Sequence, residues 1–141
     1  MGRARLLVVD EDNHWRLASV AVVSEAFEVI PMDPDEGLVR QVRRIRPDLV
    51  LLALTGVRSA QQLAACRSIK TDGVSPPLVG IVDRSGRLRA PREALKLHQA
   101  DGYLGGVFEP QRYLAFACAV WEGQQPVVEG DARGLLARLF R

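Results

Sequence analysis

The chain of 141 residues has the length of one compact domain and leaves little room for a second. Its hydrophobic fraction of 48% and charged fraction of 26% are typical of a globular protein and exclude a disordered chain, and no apolar run approaches the roughly 18 residues that span a bilayer. The formal net charge of +2 is too balanced to predict nucleic-acid binding.

The first five residues are basic, but the apolar run after them is too short for a signal peptide, so we expect a cytoplasmic protein. Cys66 and Cys118 lie far apart within helical patterns. We expect two reduced, buried thiols rather than a disulfide or metal ligands.

Apolar runs and helix signals alternate along the chain. The predicted strands are Arg5 to Val9, Phe27 to Met32, Leu49 to Leu54, Leu78 to Val82, and Tyr103 to about Phe108. The predicted helices begin at an Asn13 cap, at the acidic cap of Asp33-Pro34-Asp35-Glu36, at a capping box from Ser59 to Gln62, at Pro91, and at Glu109-Pro110. The polar, basic stretch between the fourth strand and Pro91 is predicted to be a loop. Such alternation predicts a parallel sheet that is covered on both faces.

The last residues follow a different pattern. Residues 124–130 are predicted to be a linker, and Asp131 can cap a short amphipathic helix over 132–141. We therefore divide the chain into a domain at 1–122 and a linker with a C-terminal helix at 123–141. A helix of about eleven residues is marginal alone, so it must dock on its own domain, on a partner or, least favoured because it is short, on a membrane.

Acidic residues follow the first strand, and the third strand is buried on both faces. Because the carboxyl ends of neighbouring parallel strands share one edge, Asp10, Glu11 and Asp12 should lie near Ala53. Carboxylates so placed suit a hard divalent cation. The same carboxylates can also cap the first helix and interact with its positive end, and we favour this interpretation over a metal site.

Two segments resemble the receiver domain of two-component response regulators. They read Leu-Leu-Val-Val-Asp-Glu-Asp at 6–12 and Arg-Pro-Asp-Leu-Val-Leu-Leu-Ala-Leu-Thr at 46–55, and the resemblance extends over residues 4 to about 122. It implies a flavodoxin-like (βα)5 three-layer sandwich with strand order 2-1-3-4-5. In that family the third strand ends in an aspartate that takes a phosphoryl group from a histidine kinase.

The residues that carry the family's chemistry are mostly absent. Asp10 and Glu11 match the acidic pair, but Ala53 stands at the phosphoacceptor position, Val82 at the Ser/Thr position and Gly106 at the lysine position. The resemblance therefore implies a pseudo-receiver that is not an enzyme and needs no cofactor. Two acids without a third should bind Mg²⁺ only weakly. Asp83 and Thr55 are conceivable substitute acceptors.

Receivers contact their targets through the face of the fourth helix, fifth strand and fifth helix. Tyr103 matches the family's aromatic switch, which turns inward on activation, but without a hydroxyl at Val82 we expect its own hydroxyl at the surface. We predict that this face, with Leu95, Trp121 and Phe140, is the binding surface. An acidic partner could also read the basic run Arg40 to Arg46.

Three functions compete. The first is a stand-alone adaptor that works without phosphorylation, through contact with a signalling protein of unknown identity or a second copy of itself. The second is a sensor whose strand-end pocket, opened by Gly105 and Gly106, binds a small ligand. The third is a residual phosphorelay receiver with a substitute acceptor. DNA binding is least favoured, since 123–141 are too few residues for a helix-turn-helix domain.

Overall fold

The computed structural model describes residues 2–34, 37–71 and 75–129. These residues form six strands: β1 (Arg5–Val9), β2 (Glu28–Met32), β3 (Leu49–Ala53), β4 (Leu78–Asp83), β5 (Gly102–Gly105) and β6 (Val127–Val128). Five α-helices alternate with them: α1 (Asn13–Val23), α2 (Leu38–Ile45), α3 (Ser59–Thr71), α4 (Pro91–His98) and α5 (Pro110–Trp121). The predicted C-terminal helix, with Phe140, lies outside the described residues.

All strand pairs are parallel, and the sheet order is β2-β1-β3-β4-β5-β6. The predicted flavodoxin-like architecture and the order 2-1-3-4-5 are confirmed, and β6 extends the sheet at the β5 edge. One core cluster joins the sheet to α2, α3 and α4, and a second joins its other face to α1 and α5. The molecule is therefore a three-layer sandwich.

β3 lies at the centre of the sheet, between β1 and β4, and all five of its residues are buried. Val50 and Leu52 belong to the cluster with α3, whereas Leu49 and Leu51 belong to the cluster with α5. Each fully buried leucine or valine contributes about 1.5–3 kcal/mol. This packing fixes the carboxyl end of β3, where the candidate site lies. No helix in the described ranges is both long and apolar enough to cross a membrane.

The helix starts agree with the sequence in part. Pro110 opens α5, as predicted, and the Glu109 side chain accepts hydrogen bonds from the amides of Gln111 and Arg112. The cap of α1 is Asp12 rather than Asn13, since the Asp12 carboxylate accepts from the Trp15 amide at 3.0 Å. The acidic cap predicted for α2 is wrong because the helix begins at Leu38, after Gly37 with φ 76°.

Residues 127 and 128 were expected in a linker, but they form β6. The Tyr103 amide donates to the Pro126 carbonyl at 2.9 Å, and Tyr103 and Leu104 pair with Val127 and Val128. Two β-branched residues beside an open sheet edge favour this added strand. The described part of the predicted linker is thus attached to the sheet.

Candidate functional site

The carboxyl ends of four strands meet at one edge of the sheet. Val9 lies opposite Leu52, so Asp10 follows β1 at the level of Ala53. Ala53 pairs in turn with Val82, while Asp83 at the end of β4 pairs with Gly105. For Asp10, this register agrees with the prediction that acidic residues lie near Ala53.

Asp10 is buried and paired with an arginine from another strand end. Its Oδ2 accepts from Arg84 Nη1 at 2.7 Å and its Oδ1 from Arg84 Nη2 at 3.3 Å, and Oδ1 also accepts from the Asp12 amide at 3.0 Å. The Asp10 side chain is 2% exposed and the Arg84 side chain 18%. The guanidinium carbon also lies 5.2 Å from the centre of the Trp15 ring, a distance at which cation–π attraction operates.

The other two acids of this segment have different partners. Glu11 forms an ion pair with Arg58 at 3.3 Å, in which the Arg58 side chain is 47% exposed and the Glu11 side chain 34%, and Asp12 caps α1. Asp10 and Glu11 therefore do not fit a Mg²⁺ site: each carboxylate already faces an arginine, and a methyl group stands at Ala53. The described residues contain no group of three or more His, Cys, Asp or Glu side chains placed to hold a metal.

The three positions that differ from the receiver family present no polar side-chain atom to this edge. Ala53 and Val82 are buried and belong to neighbouring strands, with Val82 in the core cluster shared with α1 and α5. Gly106 follows β5 with φ 104°, a conformation that favours glycine, and its amide donates to the Asp83 carbonyl at 2.9 Å. At these three positions the edge therefore consists only of apolar side chains and backbone groups.

Asp83 is buried, and both oxygens of its carboxylate accept hydrogen bonds. Oδ1 accepts from Ser85 Oγ at 2.7 Å, and Oδ2 accepts from the Leu88 amide at 3.1 Å and the Tyr103 hydroxyl at 2.8 Å. A carboxylate that is 3% exposed with three donors is not open to attack on a phosphodonor. As a substitute acceptor it is therefore poorly placed.

Tyr103 lies inside the protein and is 1% exposed. The expectation of a surface hydroxyl is wrong, because Asp83 supplies the buried partner that Val82 lacks. Burial first, and the hydrogen bond to Asp83 second, raise the pKa of the Tyr103 phenol. The phenol therefore stays protonated near neutral pH and continues to donate.

The room that Gly105 was expected to leave for a ligand is taken up by the Tyr103 ring, since a Cβ at Gly105 would lie 2.7 Å from Cε1 of that ring.

The second candidate acceptor, Thr55, is bound to Gln62: the Thr55 amide donates to Oε1 at 2.8 Å and Nε2 donates to the hydroxyl at 3.0 Å. Gln62 therefore reaches back to Thr55 rather than completing a capping box with Ser59.

The predicted binding surface is only partly exposed. Leu95 is half-buried and Tyr103 is buried, whereas Trp121 is 44% exposed. Leu97 of α4, which was not among the residues predicted for this surface, is 60% exposed. The large apolar side chains that α4 and α5 expose are thus Leu97 and Trp121, respectively.

Sequence reasoning overlooked Arg84, which had been included only in a basic loop. A signal existed, because Arg84 directly follows the carboxyl end of a central strand, where it can reach the acids after β1. The role of Gly105 was also missed. The importance of glycine at this position depends on the orientation of the Tyr103 ring, which cannot be predicted from a sequence pattern.

Solved structures of receiver domains are similar to this chain. The response regulator ChrA of a heme-sensing two-component system has a TM-score of 0.70 at 17% identity, over 100% of this chain and 68% of that one. The receiver domain of the putative response regulator NarL from Mycobacterium tuberculosis has a TM-score of 0.68 at 20% identity, over 87% and 99%. The BeF3-activated DrrB receiver domain has a TM-score of 0.65 at 17% identity, over 85% and 98%.

No family model and no curated protein matches the sequence. The similarity to solved structures nevertheless shows that the chain has the fold of response-regulator receiver domains.

Proposed function

We propose that this protein is a pseudo-receiver, a cytoplasmic, non-catalytic signalling domain that acts by protein contact and without phosphorylation. The observation that carries the proposal is the Arg84–Asp10 ion pair at 2.7 Å beside Ala53. The Arg84 guanidinium binds the Asp10 carboxylate, and in a receiver the carboxylate at this position would bind a metal ion. Phosphoryl transfer to a carboxylate needs both a divalent cation and an acceptor.

The loss of the acceptor alone would leave the rest of the edge able to bind a phosphate. Here Ala53, Val82 and Gly106 together offer neither a nucleophile, a hydroxyl nor a cation. Asp83 and Thr55, the substitute candidates, are each engaged in hydrogen bonds. The scaffold is nevertheless complete, with six paired strands and a core on both faces. A retained scaffold without phosphate chemistry suits a protein that presents a surface.

The face formed by α4, β5 and α5 is our proposed contact surface. Leu97 on α4 and Trp121 on α5 expose large apolar side chains on the two helices of this face, and they are our proposed contact residues. The partner is a signalling protein or a second copy of the chain.

The chemistry is tested by intact-mass measurement after incubation with Mg²⁺ and acetyl phosphate. We expect no mass gain, and a phosphorylated species would refute the proposal. An amide NMR titration with Mg²⁺ and beryllofluoride provides a second readout, in which clustered shifts at Asp10, Glu11 and Asp83 would contradict it.

The surface is tested with two matched variants. Leu97 on α4 and Leu17 on α1 are 60% and 61% exposed, but they lie on opposite faces of the sheet. Leu97→Glu should abolish self-association in sedimentation, or capture of a specific partner, while Leu17→Glu should leave it intact. Equal effects of the two variants would exclude the α4–β5–α5 face.

A further inference from the structure

The ring of Tyr103 is folded along its own strand, over Gly105. A Cβ built on Gly105 would lie 2.7 Å from both Cε1 and the hydroxyl oxygen of Tyr103, which is closer than van der Waals contact allows. Residues two apart on a strand share a face, so any side chain at this position would compete with the ring for the same space. Glycine at 105 thus makes the inward orientation of Tyr103 available.

Asp83 makes that orientation favourable. Its Oδ2 receives both the Tyr103 hydroxyl and the Leu88 amide, and its Oδ1 receives the Ser85 hydroxyl. The Asp83 carbonyl also accepts from the amides of Gly86 and Gly106. One buried residue therefore joins the end of β5, the phenol and the loop that leads into α4.

The strand that carries Tyr103 borders a groove, but Tyr103 is not among the residues that line it. Tyr103 pairs with Val127 in the sheet, and a groove of about 450 Å³ lies between α4 and β6 with Leu95, Ala100 and Val127 among its lining residues. The contacts of the Tyr103 ring are instead with Asp83 and Gly105, on the inner side of the strand end.

We propose that Asp83 and Gly105 are positioning residues that latch Tyr103 in one buried orientation, and so fix the β4–α4 loop and the neighbouring α4–β5–α5 face in one conformation without any ligand. This inference rests on the proposed function, because it explains how a surface used for protein contact is kept in a constant shape. The latch is made entirely of the chain's own groups.

The accessibility of the Tyr103 hydroxyl tests the latch. N-acetylimidazole acetylates accessible phenols, and trypsin separates Tyr103 and Tyr113 into the peptides 97–112 and 113–133. Tyr113 is also buried, at 3% exposure, and serves as the internal control. In the folded wild-type protein we expect both tyrosines to be protected, and in urea both to react.

Gly105→Ala should release the ring. We expect acetylation of Tyr103 to become at least about tenfold faster, with Tyr113 unchanged, since the ring loses its space and the phenol its buried partner. Gly80→Ala is the matched control: its Cβ would lie 2.9 Å from Leu51 Cδ2 and 3.0 Å from Phe116 Cε2, so it crowds the core next to α5. It should not raise Tyr103 reactivity selectively.

Two results would overturn the latch. One is a wild-type Tyr103 that reacts as fast in the folded protein as in urea, and the other is a folded Gly105→Ala variant in which Tyr103 stays protected. If Gly105→Ala does not fold, Asp83→Ala replaces it, with the same selective increase expected at Tyr103. Failure of the latch is distinct from failure of the proposed function, which a mass gain with acetyl phosphate would reveal.

Discussion

Replacement of Arg84 by alanine should destabilise the protein by leaving Asp10 buried without its cation. Removing one partner of a buried ion pair costs about 3–5 kcal/mol. The Arg84 side chain is 18% exposed, so water can enter the space that it leaves, and Asp10 retains the Asp12 amide as a donor. We therefore expect a loss of about 2–3 kcal/mol, which includes the lost cation–π contact with Trp15.

The assay is urea unfolding followed by circular dichroism. Arg89→Ala is the control, because Arg89 is an exposed arginine of the same loop and its expected effect is below about 0.5 kcal/mol. A loss below about 1 kcal/mol in Arg84→Ala would mean that the ion pair contributes as little as a surface pair. The interpretation of Arg84 as a structural cation would then be wrong.

Mg²⁺ provides a second readout from the same variant. In the wild-type protein the guanidinium occupies the carboxylate, so Mg²⁺ should stabilise no more than NaCl of equal ionic strength. In Arg84→Ala, Mg²⁺ at twice its dissociation constant should restore about 0.6 kcal/mol. A specific Mg²⁺ effect on the wild-type protein would refute the idea that Arg84 excludes the metal.

Further outcomes follow from neighbouring contacts. Ala53→Asp alone should not create Mg²⁺ binding, whereas Ala53→Asp combined with Arg84→Ala should, as isothermal titration would show; binding by the single variant would contradict this. Tyr103 has a pKa raised above its usual 10.0, so its contribution to stability is complete below pH 10.0 and is lost as the pH rises further. Tyr103→Phe should therefore make alkaline unfolding less steep, by up to about 1.4 kcal/mol per pH unit, and an unchanged slope would count against the buried phenol. Lys70→Met should cost about 2–3 kcal/mol in urea unfolding, because Asp101, which is 16% exposed and also accepts from the Val79 amide, loses its 2.7 Å partner. A loss equal to that of the exposed Lys96→Met would show that the pair is dispensable.

The strands were predictable because their signals are local. The run at β3 is apolar at every position, and only a strand buried on both faces explains such a run in a chain of alternating strands and helices. The start of α5 was also local, since Glu109 and Pro110 supply a cap and a first helical residue. The predicted start of α2 at the acidic cap was wrong, because the chain passes through a left-handed conformation at Gly37 and the helix begins only after it, at Leu38.

From the sequence alone one could predict the fold class and, through the resemblance, the strand order, and one could name the residues at the strand ends. How those residues pair with one another became clear only from the folded structure. Arg84 and Asp10 are 74 positions apart, and Tyr103 and Asp83 are 20 apart. Which donor fills a buried acceptor depends on the geometry of packed strands and loops. The sequence shows which donors and acceptors are present at the strand ends. Which of them pair with each other depends on the three-dimensional arrangement of that edge of the sheet.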